Sequence, residues 1–148
     1  DEHSARYPLG EGYKLTSQSG DLRGQEILPE HLASVEQGDI LLMTSCYEGL
    51  QQPWLSASTV TWLIEDRQIR MFGLQATGVQ WQYALKAEAP ANSPIRRMLL
   101  GANVPIAHPL VNIGTLQQGR VFYFGMPLHT PKMEASFIRA MALEAPDA

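Results

Sequence analysis

Val79-Gln80-Trp81-Gln82-Tyr83-Ala84-Leu85-Lys86-Ala87-Glu88 carries the clearest period in the chain. Val79, Trp81, Tyr83 and Leu85 alternate with Gln80, Gln82, Ala84 and Lys86, so one face is apolar and the other polar, as a half-buried strand requires. Thr77-Gly78 in front of it makes a tight turn, because glycine accepts positive φ. Working backwards, Ile69 to Gln75 reads as a strand closed by the polar turn Glu65-Asp66-Arg67-Gln68. Trp54 to Glu65, rich in Thr, Val and Trp, reads as another strand. Gly49 to Pro53 turns the chain, and Ile40 to Glu48 begins as an almost wholly apolar strand. Pro29, Leu32 and Val35 suit a short helix that Gly38 stops.

Working forwards, Ser93 is a good N-cap, Pro94 takes the first helical position and Gly101 ends the helix. Pro105 and Pro109 argue for an edge strand or a loop. Val111–Leu116 and Val121–Met126 are expected to form a hairpin around Gln118-Gly119. Thr130-Pro131 is expected to open a final helix over 131–143, since Met133, Phe137 and Met141 stand four apart. The expected fold class is therefore α+β: a single antiparallel sheet of five to seven strands, with two or three helices on one face. Residues 1–26 read as an extended N-terminal arm, and 27–148 as one α+β domain.

The 148 residues suffice for a real core. Charged residues make up 18% against 45% hydrophobic, where an ordinary domain carries about 25% charged. Such a surface is either rich in neutral polar groups or partly covered by another subunit. The Val121-Phe122-Tyr123-Phe124 segment is apolar on both faces, which an exposed edge strand does not tolerate, so a homodimer is expected. The net charge is −4, with no basic stripe. Nucleic acid is not expected, because phosphate neutralisation needs clustered Lys and Arg. No apolar run approaches the roughly 20 residues that span a bilayer. With a single cysteine, Cys46, no intrachain disulfide is possible. A cytoplasmic location is the expectation.

Among candidate site residues, Ser93, Arg96 and Arg97 stand first. A helix N-terminus presents free N–H groups, and two arginines there oppose the helix dipole unless an anion sits among them. The alternative is a solvated pair whose stems lie on the sheet. His108, in a stretch of low polarity, is either a ligand-binding group or a structural loop histidine. Trp62, Trp81 and Tyr83 would stack on an aromatic ring if they line a concave face, and are core if they face the helices. The four histidines show no metal spacing, so neither a metal nor another cofactor is expected. Cys46 reads as an inert thiol, since no histidine stands in register with it.

Two stretches resemble the chorismate pyruvate-lyase family and its ligand-binding relatives. One is Ile40-Leu41-Leu42 with Pro53-Trp54-Leu55 and Thr59-Val60. The other is Ser93-Pro94-Ile95-Arg96-Arg97-Met98-Leu99-Leu100, ending near Ile113-Gly114. Together they cover about a third of the chain. The family's ligand-gripping arginine would fall at Gly38 and its glutamate near Met126, and Ile69 to Glu88 stands as an insertion. The resemblance thus implies the fold and a buried ligand site more than lyase turnover. The leading expectation is a small anionic or aromatic ligand in that cavity, held by Ser93, Arg96 and Arg97, with Trp62, Trp81 and Tyr83 stacked on its ring and His108 as a further binding group. The competing expectation is a non-enzymatic protein-binding module, akin to small acidic secretion chaperones, acting as a homodimer.

Overall fold

The computed structural model describes residues 9–16 (as backbone), 22–48, 51–75 and 93–145. Eight strands and two α-helices follow in the order β1 (Leu9–Thr16), β2 (Glu26–Ile27), β3 (Ile40–Thr44), β4 (Trp54–Leu55), α1 (Ala57–Glu65), β5 (Met71–Gln75), α2 (Pro94–Gly101), β6 (Ile106–Leu110), β7 (Arg120–Pro127) and β8 (Ile138–Leu143). Short 3-10 turns occupy Pro29–Leu32 and Ile113–Thr115. The Val79–Glu88 segment lies outside the described residues.

Six strands make one sheet in the order β6-β5-β3-β1-β7-β8, and β2 with β4 forms a small parallel pair beside it. The pairs β1/β3, β3/β5 and β5/β6 are parallel, while β1/β7 and β7/β8 are antiparallel. This corrects the expected single antiparallel sheet: the sheet is mixed, and four adjacent strands run the same way. The α+β character holds.

The correction has a local cause. All five residues of β3, Ile-Leu-Leu-Met-Thr, are buried, as are Met71, Phe72, Gly73 and Leu74 of β5. A strand apolar on both sides is covered on both sides, the habit of parallel strands. Parallel neighbours need a crossover, and here a helix supplies it. Trp54–Glu65 is accordingly not one strand. It is β4, two residues long, followed by α1. Ser56 caps that helix, its hydroxyl accepting from the Thr59 N–H at 3.3 Å. Thr59, Val60 and Leu63 then form the buried stripe.

Two further expectations fail. No helix forms over 131–143. Lys132 takes a left-handed φ of 68° in a turn, and Ile138–Leu143 pairs residue for residue with β7. Nor do Val111–Leu116 and Val121–Met126 form a hairpin, because β7 lies between β1 and β8. The strand within the 1–26 stretch, β1, sits between β3 and β7. The helix at 94–101 stands as read, and Pro105 and Pro109 do flank and enter an edge strand, β6.

The sheet carries an apolar cluster on each side. On the helical side, Leu41, Met43, Phe72 and Leu74 pack with Val60 and Leu63 of α1 and Ile95 and Leu99 of α2. On the other, Ile40, Leu42, Met71, Leu110, Ile113, Val121 and Tyr123 pack together. Gly73 is set by this packing, since a Cβ there would come within 2.6 Å of Leu42 Cδ2 and 2.9 Å of Leu110 Cδ1.

Candidate functional site at the carboxyl edge of the parallel strands

In open sheets with parallel strands, ligands bind outside the carboxyl ends of the strands, where helix N-termini also gather. The direction of both helices follows from their ends. After α2, the Val104 N–H donates to Leu99 O and the chain enters β6 at its start. After α1, the Arg67 carbonyl accepts from the Gly38 N–H just ahead of β3. Both helices therefore end at the amino edge and begin at the carboxyl edge.

The amino edge is bound up in its own hydrogen bonds. Asp39 is only 4% exposed. Its carboxylate accepts from Arg120 Nη2 at 2.8 Å, from Arg120 Nη1 at 3.2 Å and from the Glu36 N–H at 2.8 Å. Its carbonyl accepts from the Arg70 N–H, and Arg70 Nε donates to Gly38 O at 2.8 Å. These bonds clamp the entry of β3 to β5 and β7. They join elements rather than present groups to a ligand.

The carboxyl edge differs. Thr44 and Ser45 close β3 in burial, with Ser45 Oγ accepting from the Tyr47 N–H at 3.1 Å, and Cys46 is exposed. Gln75, the last residue of β5, accepts through Oε1 from the Gly114 N–H at 3.1 Å. This bond ties the 3-10 turn 113–115 to the sheet. Asn112 enters that turn with φ 63°. Ser93 precedes α2 with an enclosed hydroxyl that makes no hydrogen bond and does not cap the helix. Arg96 and Arg97 are both exposed on the first turn of α2. His108, on β6, joins Pro109 through a cis peptide bond. Its imidazole is held below its ordinary basicity, first by partial removal from water and then by the Arg96 guanidinium. The charge of Arg96 therefore reaches His108, although the two stand on different elements.

Of the residues expected to bind a ligand, Ser93, Arg96 and Arg97 stand at the start of α2 at this edge, while His108 lies in the middle of β6 and feels the Arg96 charge. Trp62 does not join them. It lies in the second half of α1, packs against the helical-side cluster and carries the Arg67 guanidinium 4.5 Å above its ring. Trp81 and Tyr83 lie outside the described residues. Gln75, Asn112 and Gly114 belong to the edge without having been foreseen. Their signal lies in position, at the end of a buried strand and in an Asn-x-Gly turn.

No family model matches the chain, and no curated protein does. Solved structures do. One titled "The Structure Of Potential Metal-Dependent Hydrolase With Cyclase Activity" matches over 93% of this chain and 67% of its own, with a TM-score of 0.63 and 19% identity. Isatin hydrolase A from Ralstonia solanacearum matches over 92% of this chain and 60% of its own, with a TM-score of 0.66 and 19% identity. Isatin hydrolase A from Labrenzia aggregata, bound to benzyl benzoate, matches over 90% and 59%, with a TM-score of 0.58 and 18% identity. The chain has the fold of these proteins and spans about three fifths to two thirds of their length. Among the described residues, no helix is long and apolar enough to cross a membrane.

Proposed function

We propose that the carboxyl edge of this sheet binds a small organic anion, with Arg96 as its counter-ion, and that the domain belongs to a protein that processes small molecules. The observation that carries the reading is the enclosed, unpartnered Ser93 hydroxyl at the start of α2, on the same helix turn as Arg96, whose charge reaches His108. An arginine at the start of a helix opposes the dipole by a few tenths of a kcal/mol to about 1 kcal/mol. A carboxylate there reverses that cost, accepting from the guanidinium, from free N–H groups of the first turn and from the serine hydroxyl. Partial removal from water and the Arg96 charge keep the His108 imidazole neutral at a pH where an ordinary one begins to protonate. The fold shared with two isatin hydrolases supports a small cyclic or aromatic ligand.

The name of one structural neighbour mentions metal dependence. Among the described residues, no group of three or more His, Cys, Asp or Glu is placed to hold a metal ion.

Titration of the full chain with benzoate and with isatin, followed calorimetrically, tests the reading. Benzoate binding is expected to weaken by about tenfold or more in Arg96→Gln, the loss of one charge-assisted contact, while the melting temperature stays unchanged. Failure of a panel of aromatic carboxylates to bind at all, or equal binding by Arg96→Gln, sinks it.

A further inference from the structure

Among the described residues, the helical face of the sheet is only partly covered. Helices α1 and α2 pack over β3 and β5, and their cluster includes no residue of β7 or β8. The register of those two strands sets out what is left bare. Phe122 stands opposite Leu143, Phe124 opposite Met141, and Met126 opposite Arg139. One step further on, the Leu128 N–H donates to Phe137 O at 2.9 Å, extending the ladder. Side chains alternate across a strand. With Val121 and Tyr123 packed into the opposite cluster, these eight residues share the helical face. Seven of them are apolar, and among those Phe122 is 43% exposed, Met126 51%, Leu128 60%, Phe137 86%, Met141 43% and Leu143 61%.

The geometry points to this face as the interface with a second copy of the same chain, packed sheet against sheet about a twofold axis. Area is the first argument. Taking about 150–250 Å² for a whole large side chain and the exposures above, the bare face offers roughly 700 Å². The largest apolar patch of a typical monomer is about 300–600 Å², whereas each partner of a standard stable interface contributes about 800 Å². Shape is the second argument. A two-stranded apolar face stacks best on another sheet face, about 10 Å away, and a twofold-related copy supplies one of the same width. Charge is the third. Arg139 is the single charged side chain among the eight, so self-association brings no array of like charges from these positions together. The interface is separate from the carboxyl-edge site and does not depend on the ligand reading.

Light scattering on the full chain at tens of micromolar tests it. The expected mass is twice the 16.4 kDa of one chain. The double variant Phe122→Glu/Leu143→Lys keeps an opposed, attractive cross-strand pair on β7 and β8 but charges the face. It is expected to weaken dimerisation by at least about a hundredfold, the scale of two hot-spot residues. Leu100→Lys, exposed on α2 away from the face, is the control and should remain dimeric. A wild-type mass of 16.4 kDa overturns the proposal and leaves the face to some other partner. A double variant that stays dimeric overturns it as well, because the contact then lies elsewhere. Should the double variant unfold, oxidation of native methionines reads the same surface. Met126 and Met141 are expected to oxidise several-fold more slowly in concentrated than in dilute protein, and equal rates contradict the interface.

Discussion

Tyr123 is 2% exposed, and its hydroxyl has no hydrogen-bond partner. Burial pushes its ionisation up to about 12. Because a buried unpaired hydroxyl costs about 1–3 kcal/mol, Tyr123→Phe is expected to leave stability unchanged or raise it, read from the urea midpoint at constant m-value. A loss above about 1 kcal/mol would mean that the hydroxyl is paired. The folded phenol keeps its proton to higher pH than the unfolded one. Stability present below pH 10 is therefore lost as pH rises towards 12, and Tyr123→Phe removes that loss. His108 works at the other end of the scale. Its folded value lies below 6.5, so the unfolded chain takes up the proton first as pH falls. Stability then drops as pH falls through 6.5 and levels off below the folded value. His108→Gln should flatten that part of the melting-temperature profile, and a profile that keeps its slope contradicts the assignment. Nothing local in the sequence singles out Asp39. That it meets Arg120, 81 positions away, is a product of strand order. Breaking a buried ion pair costs about 3–5 kcal/mol. Here Arg120 keeps 35% of its side chain exposed and retreats to water, so Asp39→Ala is expected to cost about 2–3 kcal/mol in chemical denaturation.

Among the elements, α2 was readable because its signals are local: a proline at the first helical position and a glycine at the end. The α1 segment was misread because Thr, Val and Trp have strand propensity, yet Ser56, Thr59, Val60 and Leu63 follow helical spacing behind a serine cap. Propensity is a weak prior there, and the buried stripe decides. The opposite error occurs near the end of the chain. Met133, Phe137 and Met141 stand four apart, but Phe137, Arg139, Met141 and Leu143 also stand two apart, and hydrogen bonding to β7 selects the strand. Between strands, Gly73 shows how closely β5 packs. Its substitution by alanine is expected to cost about 1–3 kcal/mol, because the added methyl meets the ends of the Leu42 and Leu110 side chains. A Gly73→Ala protein as stable as wild type would show that those leucines have room to turn.

For the whole molecule, a bare apolar face covered by a second copy links folding to assembly. The melting temperature is then expected to rise with protein concentration, and a value independent of concentration over two decades contradicts the interface. By itself the sequence determined that the chain from Ile40 is an almost wholly apolar strand, where α2 starts and stops, and that Pro105 and Pro109 call for an edge or a loop. These are local matters, governed by capping, by proline geometry and by periodicity over a few residues. Strand direction was decided only in the tertiary structure. A fully buried strand such as β3 has the same composition whichever way its neighbours run, and the choice rests on helices crossing from one strand to the next. The exposed apolar face among the described residues of β7 and β8 was decided there too, because it depends on which strands become neighbours, and no short stretch of chain encodes that order.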